Sequence, residues 1–124
     1  FSMHGEKNYP FTKEKSDLDI GLKTDTNDAD YLSLLKETLP KLIRQEKPDF
    51  IYYLCGVDVI ATDKLGKLAL SIEGCKERDR FVLQTCFDLE IPVMCSMGGG
   101  YSPDVNTIVT AHANTFKVAQ EIYF

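Results

Sequence analysis

With 124 residues, 44% hydrophobic and 27% charged, the chain has room for one domain or for a piece of a larger one, and enough apolar side chains for a modest core. A net charge of −5, with Lys and Arg scattered among acids, argues against a nucleic-acid surface, which needs a basic stripe. No apolar run approaches the roughly 20 residues of a membrane-spanning helix, and no basic-then-apolar leader opens the chain, so a soluble, cytoplasmic protein is expected.

Phe1-Ser2-Met3-His4 reads as a strand end without a start signal, as if the chain began within a domain. Residues 5–17 are a polar loop holding Tyr9-Pro10-Phe11, and Leu18 to Leu22 alternates as a short strand does. After a turn over 24–28, with Asn27 or Asp28 as the candidate cap, a helical period begins. Tyr31, Leu35, Leu39, Leu42 and Ile43 lie on one face. Pro40 is expected to kink or divide this helix, and Pro48 to stop it.

Phe50 to Cys55 is apolar without alternation, which predicts a strand buried on both faces. A second helix follows Ser71 and runs to about Leu89, with Cys75, Val82, Cys86 and Leu89 as its apolar stripe and charge on the other side. Ile91 to Ser96 reads as another buried strand, with Pro92 tolerable at its start. Ser102 then caps a last helix, with Pro103 in its first position and Val105, Val109, His112, Phe116, Ala119 and Tyr123 on its buried stripe. This order predicts an α/β fold, a parallel sheet with flanking helices, whose ligands bind beyond the carboxyl ends of the strands.

The four cysteines, at 55, 75, 86 and 95, form no C-x-x-C pair and read as buried free thiols. Asp58 and Tyr101 each stand just past a predicted strand end. A carboxylate there can bind a metal, but one carboxylate is too few for a catalytic zinc, and Asp58 alone reads as a helix cap or loop stabiliser more readily than as a ligand. Met97-Gly98-Gly99-Gly100-Tyr101 lets a substrate approach backbone closely, with a phenol ready to donate to an oxyanion. The same glycines could simply make a tight turn, or hold a phosphate at the next helix, although no P-loop lysine follows.

Taken together, Gly56-Val57-Asp58, Asp63, Leu65-Gly66 and, some 30 residues on, Gly98-Gly99-Gly100-Tyr101 resemble the histone deacetylase superfamily. Leu68 to Ile72, Lys76 to Asp79, Phe1 to His4 and Tyr9-Pro10 extend the likeness over essentially the whole chain, closest to the class IV type and its bacterial relatives. The resemblance implies the C-terminal portion of an arginase/deacetylase-like fold. It implies Asp58 as a zinc ligand, Tyr101 as the catalytic donor to the tetrahedral intermediate, and Tyr9, Leu65, Gly99 and Gly100 along the acyl-lysine tunnel. Ser2 and Met3 match a potassium site.

The implied reaction is zinc-dependent hydrolysis of an acetylated lysine or a small acetylamide. The family's tandem histidines, and the Asp-x-His segment with the other two zinc ligands, match nothing here; the resemblance places them upstream of Phe1. Only His4 and His112 occur, the latter reading as a packed core histidine. The chain alone is therefore expected to hold zinc poorly, catalyse little, and associate with the missing N-terminal half or with another copy. The alternative is a non-catalytic assembly or regulatory piece with an incomplete metal site.

Overall fold

The computed structural model describes all 124 residues, Phe1 to Phe124. Four short strands and three helices follow in the expected order: β1 (Ser2–Gly5), β2 (Asp19–Leu22), α1 (Asp28–Glu46), β3 (Ile51–Leu54), α2 (Ile72–Asp88), β4 (Val93–Ser96) and α3 (Val105–Tyr123). β1 pairs in parallel with β2, Ser2 opposite Asp19, and β3 pairs in parallel with β4, Ile51 opposite Val93. The pairs remain two separate two-stranded sheets.

Helix α1 starts where Asn27 Oδ1 accepts from Asp30 N–H at 3.1 Å, a cap worth about 1 kcal/mol. It ends at Lys47, in the left-handed conformation, one residue before Pro48. Pro40 lies inside this unbroken 19-residue helix, so the expected division does not occur. Packing supplies the reason: Tyr31, Leu35 and Ile43 are buried on both sides of Pro40, anchoring the two halves to one core. Each such side chain contributes roughly 1.5–3 kcal/mol, enough to offset one lost hydrogen bond.

Helix α2 begins as expected after Ser71, whose Oγ accepts from Gly74 N–H at 2.9 Å. The Ser71 hydroxyl also donates to Asp28 Oδ2 at 2.6 Å, locking the starts of α1 and α2 together. Cys75, Val82 and Cys86 are buried, but the expected polar side is not all polar: Arg78 and Asp79 lie within the same stripe and are buried too, while Leu89 falls past the helix and is exposed. Leu22, Tyr31, Leu35, Leu68, Leu70, Val82 and Cys86 make the main core, with Val57, Ile60, Cys75 and Ala111 a second cluster beneath α3.

Two further expectations are overturned. Asp104, not Ser102, caps α3: its carboxylate accepts from Asn106 and Thr107 N–H at 3.1 Å each, and Pro103 lies before the helix. The carboxylate wins because it satisfies two free N–H groups and also accepts the Thr107 hydroxyl, while Ser102 Oγ is engaged with Thr62 Oγ1 at 2.6 Å. The buried face of α3 is Ala111, His112, Asn114, Thr115 and Val118, whereas Val105, Val109 and Phe116 are exposed. Small side chains let α3 lie close to α2, and a buried polar partner draws Thr115 inward: its hydroxyl donates to Asp79 Oδ2 at 2.7 Å.

Strand β3 is not covered on both faces. Ile51 and Tyr53 turn inward while Tyr52 is 77% and Leu54 68% exposed. All four cysteines are free thiols, with Cys55, Cys75 and Cys86 buried. No helix is long and apolar enough to cross a membrane.

Candidate active site

The site forms beyond the carboxyl ends of β3 and β4, where the chain leaves each strand side by side. Val57 N–H donates to Gly98 O at 3.0 Å, so the pairing of β3 with β4 continues into both loops. Asp58 therefore lies beside the glycine turn. A Cβ on Gly99 would stand 2.6 Å from Asp58 Cγ, and Gly99 has φ +62°, so the bare backbone is what lets the carboxyl approach. On the other side, a Cβ on Gly66 would meet Asp58 O at 1.6 Å, so only glycine permits that crossing of two backbones.

Asp58, Tyr9, Leu65, Gly99 and Tyr101, with Asn8, surround one cavity of about 170 Å3. The carboxyl at 58 and the tyrosine at 101 thus share a cavity, with three of the four tunnel residues of the resemblance, Tyr9, Leu65 and Gly99, on its rim. Tyr101 is 52% exposed and Tyr9 and Leu65 are more than half open, so an entering ligand meets two rings and an aliphatic side chain above one carboxyl group. Gly100 does not line this cavity. Its backbone, at φ +107°, sits against Val57, Ile108 and His112, where a Cβ would approach two methyl groups at 3.0 Å. Its role is to let the chain pass over α3. Ser2 and Met3 do not line this cavity; they line a larger cleft of about 610 Å3 that Asp58 and Gly99 also border, and there Ser2 Oγ and His4 Nδ1 are hydrogen-bonded at 2.8 Å.

Two features of the site carry no assignment from sequence. Asp63 clamps it: Oδ1 accepts from Leu65 and Gly66 N–H at 2.8 and 2.7 Å, and Oδ2 accepts from Tyr101 N–H at 2.6 Å. One carboxylate thereby ties the loop after β3 to the loop after β4. Its place inside the motif around Asp58 was visible; its partner 38 residues away was not. Beneath the site, Arg78 Nη1 donates to Gly56 O at 2.7 Å, while Arg78 Nε and the Tyr53 hydroxyl both donate to Asp79 Oδ1, at 2.9 and 2.5 Å. The spacing 75, 78, 79, 82, 86 carries the signal, since it places the two charges on the apolar stripe.

Burial raises the pKa of Asp58, and the nearby carboxylate of Asp63 raises it further. A half-buried carboxyl beside a like charge would gain from a cation. These residues do not complete a metal centre, however: no group of three His, Cys, Asp or Glu side chains is placed to hold an ion, and a catalytic zinc takes three protein ligands. The donor set here is one carboxylate.

Replacing Gly99 by alanine is expected to cost about 1–2 kcal/mol for the left-handed backbone alone and more for the collision with Asp58. The midpoint of urea unfolding measures it. A midpoint equal to that of the parent would contradict the packing of Asp58 on Gly99.

The histone deacetylase domain model matches residues 1–116. An uncharacterised protein of Picosynechococcus is 42% identical over 123 residues, 99% of this chain and 41% of that protein. Histone deacetylase RPD3 of Saccharomyces cerevisiae is 30% identical over 112 residues, 82% of this chain and 25% of the yeast protein. An acetylpolyamine aminohydrolase from Burkholderia pseudomallei superposes with TM-score 0.75 at 16% identity, covering 97% of this chain and 37% of that one. The HDA15 HD domain gives TM-score 0.69 at 20% identity, over 95% of this chain and 36% of that one. These likenesses show an α/β deacetylase fold, of which the chain spans about two fifths or less in each of these proteins. The chain belongs to the histone deacetylase family.

Proposed function

We propose that the protein hydrolyses an acylated amine, an acetyl-lysine side chain or a small acetylamide, and that residues 1–124 supply one wall of its active site. The observation that carries this reading is the shared cavity of Asp58 and Tyr101, rimmed by Tyr9, Leu65 and Gly99. In it, Asp58 is one ligand of a zinc ion whose other ligands come from outside these residues. When bound, such an ion polarises the scissile carbonyl and lowers the pKa of a water. Tyr101 donates its hydroxyl to the oxygen on which negative charge develops. Tyr9 and Leu65 hold the aliphatic stem of the acylated side chain, and the Gly99 backbone lets it lie close. Ser2 and Met3 remain the candidates for a potassium ion, through a hydroxyl and a carbonyl oxygen.

A second reading has its own support. With no three-ligand group among its side chains, the chain could serve as an assembly or regulatory piece, associating with other polypeptide or with a second copy. Exposed Val105, Val109 and Phe116 on α3 give such contacts an apolar surface.

The test uses the protein expressed from its intact gene. It is expected to bind one zinc per active site and to hydrolyse an acetyl-lysine reporter, and Asp58→Ala is expected to abolish both. Full hydrolysis by the variant would remove Asp58 from the site, and a zinc-free, inactive parent would favour the second reading.

A further inference from the structure

The loop that leaves β1 at Glu6 carries Asn8 and Tyr9, two of the residues lining the candidate cavity. Backbone hydrogen bonds secure only its ends. Glu6 N–H donates to Leu22 O at 2.9 Å and Asn8 N–H to Gly5 O at 3.4 Å. At the far end Ser16 N–H donates to Asp19 Oδ2 at 2.8 Å. From Tyr9 to Lys15 no backbone N–H donates to another group of the chain. The rings add little anchorage by burial: Tyr9 is 74% and Phe11 84% exposed, and the two meet edge to face with centroids 6.2 Å apart. Holding such a loop in one conformation costs entropy at every residue, which some contact must offset.

One side chain supplies that contact. The Lys13 ammonium donates to the carbonyl oxygens of both Asn8 and Pro10. These carbonyls belong to the residues on either side of Tyr9, so one cation spans the turn that presents the ring. An ammonium has donors enough for both, and a charged donor bonds roughly twice as strongly as a neutral one. The near end of the clasp is itself seated. A Cβ on Gly5 would stand 3.4 Å from Asn8 Cγ and 3.6 Å from each of Oδ1 and Nδ2, so the carboxamide lies flat on the end of β1. The chain of contacts thus runs from a strand end, through Asn8 and Lys13, to the turn beneath the Tyr9 ring.

We propose that Lys13 is a positioning residue of the candidate site: by clasping the carbonyls on either side of Tyr9, it fixes that ring at the rim and so sets how tightly the stem of an acylated side chain is held. The inference rests on the hydrolysis proposed above and adds to it a residue that touches no substrate. Lys13 acts only through Tyr9. Its influence falls on binding and not on the reacting atoms, because the ring stands at the rim and the carboxyl of Asp58 and the phenol of Tyr101 stay in place without it.

The protein expressed from its intact gene is compared with its Lys13→Met, Lys13→Arg and Lys15→Met variants, the last at an exposed lysine two positions on. With an acetyl-lysine reporter, Lys13→Met is expected to raise KM about tenfold and leave kcat within about twofold, the pattern of binding lost equally before and in the transition state. Lys13→Arg keeps the charge and the donors, and its KM is expected within about threefold of the parent. Lys15→Met is expected to behave as the parent. Chymotrypsin cleavage after Phe11 follows the loop independently of hydrolysis, and is expected about tenfold faster in Lys13→Met alone. A parental KM or a parental cleavage rate in Lys13→Met overturns the positioning role. So does an Arg variant as impaired as the Met variant, or a loss confined to kcat. A parent that hydrolyses no reporter overturns the reaction itself and this role with it.

Discussion

Asp79→Ala is expected to lower the free energy of unfolding by about 3–5 kcal/mol, the cost of leaving a buried charge without its partner. Asp79 is fully buried and Arg78 nearly so, so solvent screens neither. The substitution also strands the Tyr53 and Thr115 hydroxyls, which both donate to the lost carboxylate. Burial already raises the Tyr53 pKa well above its ordinary value, so that phenol stays neutral and gains nothing by ionising. A domain of this size has only about 5–15 kcal/mol of stability, so the loss is a large share of the whole. Asp79→Leu combined with Arg78→Met should recover much of it, since an apolar pair of similar volume avoids the desolvation. Denaturant unfolding of the two variants reads both effects, and a single variant as stable as the parent would remove the pair from the core. Because Arg78 also holds Gly56 O, two residues before Asp58, the single variant should blur the site as well.

Tyr101→Phe is expected to lower kcat for the proposed hydrolysis by on the order of 10²–10³, about 3–4 kcal/mol of transition-state stabilisation. Removing one hydroxyl leaves the ring, so KM should change little if that donor acts only as charge develops. Zinc content should be unchanged, because the tyrosine is no ligand in this reading. The ring position itself is fixed from the backbone, where Tyr101 N–H donates to Asp63 Oδ2 at 2.6 Å. Asp63→Asn should therefore mimic part of the loss by loosening the loop. Parental kcat in the Phe variant, with its zinc retained, would deny Tyr101 the role of oxyanion donor.

Much of this is readable in the amino-acid sequence. The order of elements, the start of α2 at Ser71 and the Asn27 cap follow from local chemistry, since hydrophobic period and capping residues act within a few positions. That Asp58 and Tyr101 each stand just past a strand end is legible for the same reason, because a strand's exit is a local feature, whereas the pairing of those two strands is not.

Errors gathered where a distant partner decides. The exposed stripe of α3 looks like a core face, yet Thr115 and Asn114 go inside because Asp79 and close helix packing reward small polar groups there. Arg78 and Asp79 look like surface charge until the pair is set beneath Gly56. The glycine turn could have held a phosphate, but the N-terminus of α3 is already occupied by the carboxylate of Asp104.

Sequence alone determined the family, the α/β class and the two loops that bear the candidate site, because these rest on motifs and on periods of two and 3.6 residues. Tertiary structure decided which charges are buried, which apolar faces stay open, and that Asp63 joins two loops 38 residues apart. It also separated the strands into two pairs around a cleft. The division has one physical cause. Propensity and capping depend on near neighbours along the chain, whereas burial and ion pairing depend on what folding brings from far away.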